Sequence, residues 1–175
     1  MNSVRLASIA ALGALSLAGC DRQAPDAPPA VRIGDSLCDQ CNMIISDERW
    51  ATATIVDGAR GPEARLFDDF NCQVNHQIEH PDLGVVARWS HSHASSEWIR
   101  TEQARFLISP ALRTPMGSQV AAFASADEAR AAGAEFDGEI VTFDEAWARL
   151  GASGARNDTT TIGSPDAEKE TPNAP

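Results

Sequence analysis

Apolar and polar positions change period several times along the middle of this chain, and each change predicts an element. Arg49 to Val56 alternates and is β-branched in its second half, which predicts a strand. Asp57-Gly58 and Gly61-Pro62 supply turn residues, and Ala64 to Phe67 predicts the returning strand. The period then lengthens. Phe70, Val74 and Ile78 fall on one helical face that Asp68 or Asp69 can cap, and His80-Pro81 ends the helix near Glu79. Val85 to Trp89 predicts the next strand, and Glu97 to Ala104 a short amphipathic helix. Phe106-Leu107-Ile108 and Val120 to Phe123 predict strands on either side of a Thr114-Pro115-Met116-Gly117 loop. Ser125 caps a helix over Ala126 to Ala132, with Glu128 completing a capping box and Gly133 closing it. Glu139 to Phe143 predicts a strand, and Asp144 to Leu150 a final helical turn or two.

This order contains a strand–strand–helix–strand unit twice, over Arg49 to Trp89 and over Phe106 to Phe143. Hairpins mixed with helices predict the α+β class, with two small ββαβ-type units packed into one compact domain, and argue against a doubly wound parallel sheet. The two units share no convincing residue-level identity.

The ends of the chain read differently. Arg5 followed by the apolar run Leu6 to Leu17 has the form of a signal segment too short to span a bilayer. Leu17-Ala18-Gly19-Cys20 has the pattern of a lipobox, so residues 1–19 are expected to be removed and Cys20 acylated. That predicts a protein lipid-anchored in the cell envelope, facing the periplasm, with inner or outer membrane left open. Residues 20–34, with Pro25, Pro28 and Pro29, read as a stiff spacer, residues 35–150 as the folded domain and residues 151–175 as a disordered tail. A formal net charge of −11 argues against nucleic acid and against charge-driven binding to anionic lipid.

The chemistry concentrates in Cys38-Asp39-Gln40-Cys41-Asn42-Met43, two thiols and a thioether within one short segment. Soft sulfur donors select Cu(I) over hard cations. At alternate positions of an extended strand, Cys41 and Met43 would project to the same side. A Cys-x-x-Cys also serves redox pairs, zinc sites and disulfides. With Cys20 acylated, three thiols remain and cannot all pair within the chain.

Cys38-x-x-Cys41-x-Met43-Ile44-Ile45 behind a lipobox resembles the NosL family, accessory lipoproteins of nitrous oxide reductase. Phe67-Asp68-Asp69 leading to Cys72, Trp98-Ile99, Thr114-Pro115-Met116-Gly117 with Val120-Ala121-Ala122-Phe123, and the stretch Gly138 to Ala146 extend the likeness over about Asp35 to Leu150. The resemblance implies a monomeric Cu(I) carrier, made of two ββαβ units, that serves the membrane-bound maturation machinery of nitrous oxide reductase and, through it, the reductase in denitrification. It also implies that Cys41 and Met43 form a Cys-x-Met copper motif.

Two sulfurs leave Cu(I) short of donors. Cys38 is a further ligand or a disulfide partner of Cys41, and Met116 a remote thioether or a gap-filling core residue. His76 lies one turn after Cys72 on the same helical face, a candidate nitrogen–sulfur pair or ordinary core residues. His91 and His93 read as a solvated loop rather than a second metal site, and His80 as a helix-end residue. The competing function is a membrane-tethered thiol–disulfide oxidoreductase using Cys38 and Cys41, which requires the Cys-x-x-Cys to open a helix. No hydrolytic or transferase constellation stands out, so a non-enzyme is expected.

Overall fold

The computed structural model describes residues 24–160, with side chains through Ser153. The signal segment, Cys20 and the chain beyond Thr160 lie outside the described residues. Two ββαβ units are present. The first contains β1 (Thr52–Gly58), β2 (Gly61–Phe67), α1 (Phe70–Glu79) and β3 (Val85–His91), to which β4 (Trp98–Arg100) is added. The second contains β5 (Arg105–Ile108), β6 (Val120–Phe123), α2 (Ala126–Phe136) and β7 (Glu139–Val141), followed by α3 (Phe143–Thr160). All strand pairs are antiparallel, in the orders β2-β1-β3-β4 and β6-β5-β7. Each unit therefore places its first strand between its second and third, with a helix crossing over.

The second sheet explains its uninterrupted apolar sequence. Phe106, Val120, Ala122 and Val141 face α1 and α3, packing on Phe70, Val74 and Ala146. Leu107, Ala121 and Phe123 face the other way, onto Ala129, Ala132 and Phe136 of α2 and onto Trp50. Both faces are covered, so no polar alternation appears. Thr54, Arg88 and Gln73 show that α1 covers one face of the first sheet: Gln73 donates to the Ala53 carbonyl and to Thr54, and Arg88 to Gln77.

The opposite face of that sheet carries Ala53, Ile55, Ala87 and Trp89, and the supposed spacer lies across it. Trp89 Nε1 donates to the Asp26 carbonyl, Arg100 pairs with the Asp26 carboxylate, and Ala24, Pro25 and Ala27 share a cleft with Ile55, Pro62 and Ala64. The folded part also begins before Asp35, since Gly34 N–H donates to the Ile45 carbonyl. Prolines here do not form a free spacer. They shape a strap.

Other boundaries move for local reasons. Glu48–Trp50 is a 3-10 turn capped by Asp47, so β1 starts at Thr52, and it runs through Asp57-Gly58 because the hairpin turns at Ala59 and Arg60. Pro62 is tolerated in β2 because β2 is an edge strand. The expected helix over Glu97 to Ala104 is instead β4 plus a 3-10 turn (Thr101–Gln103), with Trp98 paired to His91 and the Thr101 hydroxyl bonded to Ser90. Gly133 does not end α2; Asp137 does, in the left-handed region at φ 49°. Phe143 begins α3, because Thr142 and Glu145 form a reciprocal capping box. That helix continues past Leu150 to Thr160, so the first ten residues of the supposed tail are helical. Gly151 lets it approach α1: a Cβ there would come 3.2 Å from Ile78. No described helix is long and apolar enough to cross a membrane.

Candidate metal centre

The segment bearing Cys38 and Cys41 is a closed loop, not a strand. Leu37 and Ile44 form an antiparallel bridge, Cys38 N–H donates to the Met43 carbonyl at 2.8 Å, and Asn42 N–H donates to the Cys38 carbonyl at 2.9 Å. Asn42 turns the chain with φ 58°, a conformation Asn tolerates. Cys41 and Met43 consequently do not sit at alternate positions of an extended strand. The loop hangs on the outer edge of β2, where Asp39 N–H donates to the Leu66 carbonyl and Leu66 N–H to the Asp39 carboxylate at 2.6 Å. Gln40 reaches Glu79 at the end of α1, and the Asp68 carboxylate accepts Ser46 N–H at 2.9 Å.

This suspension brings Cys38 and Cys41 over the first turn of α1, where Cys72 points back at them. The three sulfurs all lie within 4.8 Å of one another, and all three thiols are free. Cys38 is fully buried, Cys72 nearly so, and Cys41 partly open. Phe67 closes the floor, and Met116, from the β5–β6 loop of the second unit, packs against the cluster. Met43 is 55% exposed on the outside of the loop. His76 is not in the cluster; its ring packs on Phe67 and stacks with His80 at 4.4 Å, and burial holds it below the usual imidazole value. His80 is the helix-end residue expected, with Nδ1 2.8 Å from the His76 carbonyl. His91 and His93 are not in a solvated loop. His91 is buried, stacked on Trp98 at 3.6 Å with Nδ1 at the Ala51 carbonyl, and His93 packs against Trp50 and Phe123.

The pocket favours one thiolate among three thiols. A hydrogen bond from the Cys72 thiol, with further donation from the backbone N–H groups of Cys41, Asp68 and Gln40, lowers Cys38 to about 5 against the effect of burial. Cys72, the donor of that bond and buried beside it, is pushed strongly up. Burial also pushes Cys41 up. Cys72 is the residue that sequence reasoning underused. The i,i+4 geometry joined it to His76, whereas its partners lie more than thirty positions away. The signal available was the count of three unpaired thiols.

The Cys-x-x-Cys does not open a helix, which removes the helix-dipole activation a thioredoxin-like redox site relies on. Fold and site together define a class, a two-unit α+β domain with a soft-donor centre where thiols of the first unit meet a thioether of the second. The sequence profile of NosL matches residues 31–149, and the chain belongs to the NosL family. In fold it is similar to the crystal structure of the copper chaperone NosL from Shewanella denitrificans, with a TM-score of 0.55 and 19% identity, over 67% of this chain and 96% of that one. No curated protein sequence matches it.

Proposed function

We propose that this protein is a metallochaperone that binds one Cu(I), held by lipid on Cys20 at an envelope membrane and facing the periplasm. Its cargo supplies the copper centres of nitrous oxide reductase through that enzyme's membrane-bound maturation machinery. The observation that carries the reading is the convergence of the Cys38, Cys41 and Cys72 sulfurs within 4.8 Å, with Met116 alongside. A thioether adds little for zinc, which favours a fourth thiolate or imidazole, but is a good donor to Cu(I). Membership of a family that includes the copper chaperone of Shewanella denitrificans supports the same cargo. Cys41, partly open, is the accessible side of the site, with Met43 exposed on the same loop as the further donor; there an incoming Met or His of a partner completes the coordination and draws the ion away.

The test is a Cu(I) competition titration of the purified, reduced protein with Zn²⁺ as the contrasting metal. One Cu(I) per chain is expected, held more tightly than Zn²⁺. The Cys41→Ser, Met43→Leu double variant and Cys72→Ser should each weaken it by at least about tenfold, as loss of a ligand does. Full affinity in both variants would exclude this site. Stoichiometric disulfide exchange without copper affinity would favour the oxidoreductase reading instead.

A further inference from the structure

Asp68 and Asp69 stand where β2 passes into α1, and every sulfur-bearing segment is tied to them. Asp68 holds the Cys38–Cys41 loop from its far side: its carboxylate accepts Ser46 N–H, and its own N–H donates to the Cys38 sulfur. Asp69 is fully buried and accepts five hydrogen bonds. One comes from Phe70 N–H at 2.7 Å, which caps the helix that carries Cys72. The other four come from the loop that carries Met116. They are Thr114 Oγ1 at 2.8 Å, Met116 N–H at 2.9 Å, Ser118 N–H at 3.2 Å and the Ser118 hydroxyl. Asn71, next along α1, donates to the Met116 carbonyl at 2.9 Å. A buried carboxylate that gathers so many donors fixes geometry as well as charge.

We infer that Asp69 is a positioning residue for the metal site. By holding both ends of the Thr114–Ser118 loop against the first turn of α1, it sets the Met116 thioether at a fixed distance from the Cys72 thiol, and so joins donors contributed by the two units. This rests on the copper reading above. An amide at this position keeps the volume but sets an NH₂ against at least one of the inward-pointing N–H groups. The loop then loses its register while the three thiols, held by other contacts, stay together.

The experiment is a double-mutant cycle read by Cu(I) competition and by X-ray absorption at copper, using the wild-type protein, Asp69→Asn, Met116→Leu and the double variant. Asp69→Asn alone is expected to weaken Cu(I) by roughly 10–100-fold, the usual effect of losing an outer-shell partner, and to lower the number of sulfurs around copper by one. The double variant should be no weaker than Met116→Leu, because with the thioether gone its support has nothing left to position. Losses that add in the double variant, or an unchanged sulfur count in Asp69→Asn, would overturn the inference. Thr114→Val with Ser118→Ala removes two hydroxyl donors and leaves the carboxylate in place; it should give the same copper signature, more weakly, should Asp69→Asn fail to fold. If Cys38→Ser and Cys41→Ser also left Cu(I) binding untouched, the copper reading itself would be at fault. If those variants lost copper while Met116→Leu did not, only the positioning role would fall.

Discussion

Cys38 is the residue on which the protonation of the site turns. Buried thiols ordinarily resist ionisation, yet this one receives donors from a neighbouring thiol and from three backbone N–H groups, and those outweigh burial. Lowered to about 5, it favours the thiolate at neutral pH, whereas Cys41 and Cys72, both pushed up, favour the protonated thiol. Copper binding should therefore release up to two protons at neutral pH. Cu(I) affinity should fall as pH falls, by up to about a hundredfold per unit, and more steeply still once Cys38 is protonated too. Competition titrations from about pH 4 to 8, with proton release followed in weak buffer, would check this; an affinity flat across that range would mean the thiols do not ligate. That Cys38 and Cys41 carry chemistry was readable from their spacing. Their meeting with Cys72 was not, because it depends on Asp39 and Asp68 hanging a loop on a strand edge, and no periodicity encodes that.

At the level of elements, the predictable ones had their own periodicity or caps. β1, α1, β5 and β6 were legible because burial on one or both faces leaves an alternating, helical or uninterrupted apolar pattern. The segment Trp98 to Gln103 was not, since its apolar–polar spacing suits a short helix locally while pairing with β3 decides the matter. The strap over residues 24–30 was missed for a related reason. Proline-rich composition describes an isolated chain, and here Trp89 and Arg100 give that chain something to bind. Deleting residues 24–30 should expose Ile55 and its neighbours and cost roughly 1.5–3 kcal/mol, the value of one large aliphatic side chain returned to water. Urea denaturation of the two proteins would measure it; equal midpoints would show the segment to be mere spacer after all.

For the whole molecule, the two units are joined by α1 packed against the second sheet, by Trp50 on that sheet's other face, by His93 N–H donating to the Ala122 carbonyl, and by the bonds that Asp69 accepts from the Met116 loop. Replacing Cys20 by Ala should leave Cu(I) affinity unchanged within about twofold, since the proposed ligands are Cys38, Cys41, Cys72 and the thioethers, but should lower copper loading of the reductase in copper-limited cells, because the proposed confinement to a membrane raises effective concentration. Wild-type loading by the Cys20→Ala protein would remove any role for the anchor. The strap gives that anchor a second consequence. Only three residues separate Cys20 from Ala24, which lines the cleft on the first sheet's outer face, so the link from the proposed acylation site to that cleft can span at most about 14 Å. With the lipid at Cys20 proposed above, the domain would be mounted rather than leashed, its β1–β2 side held toward the bilayer. A membrane-bound partner would then meet a site of nearly constant height, and the search before handover would shrink from three dimensions to sliding in a plane.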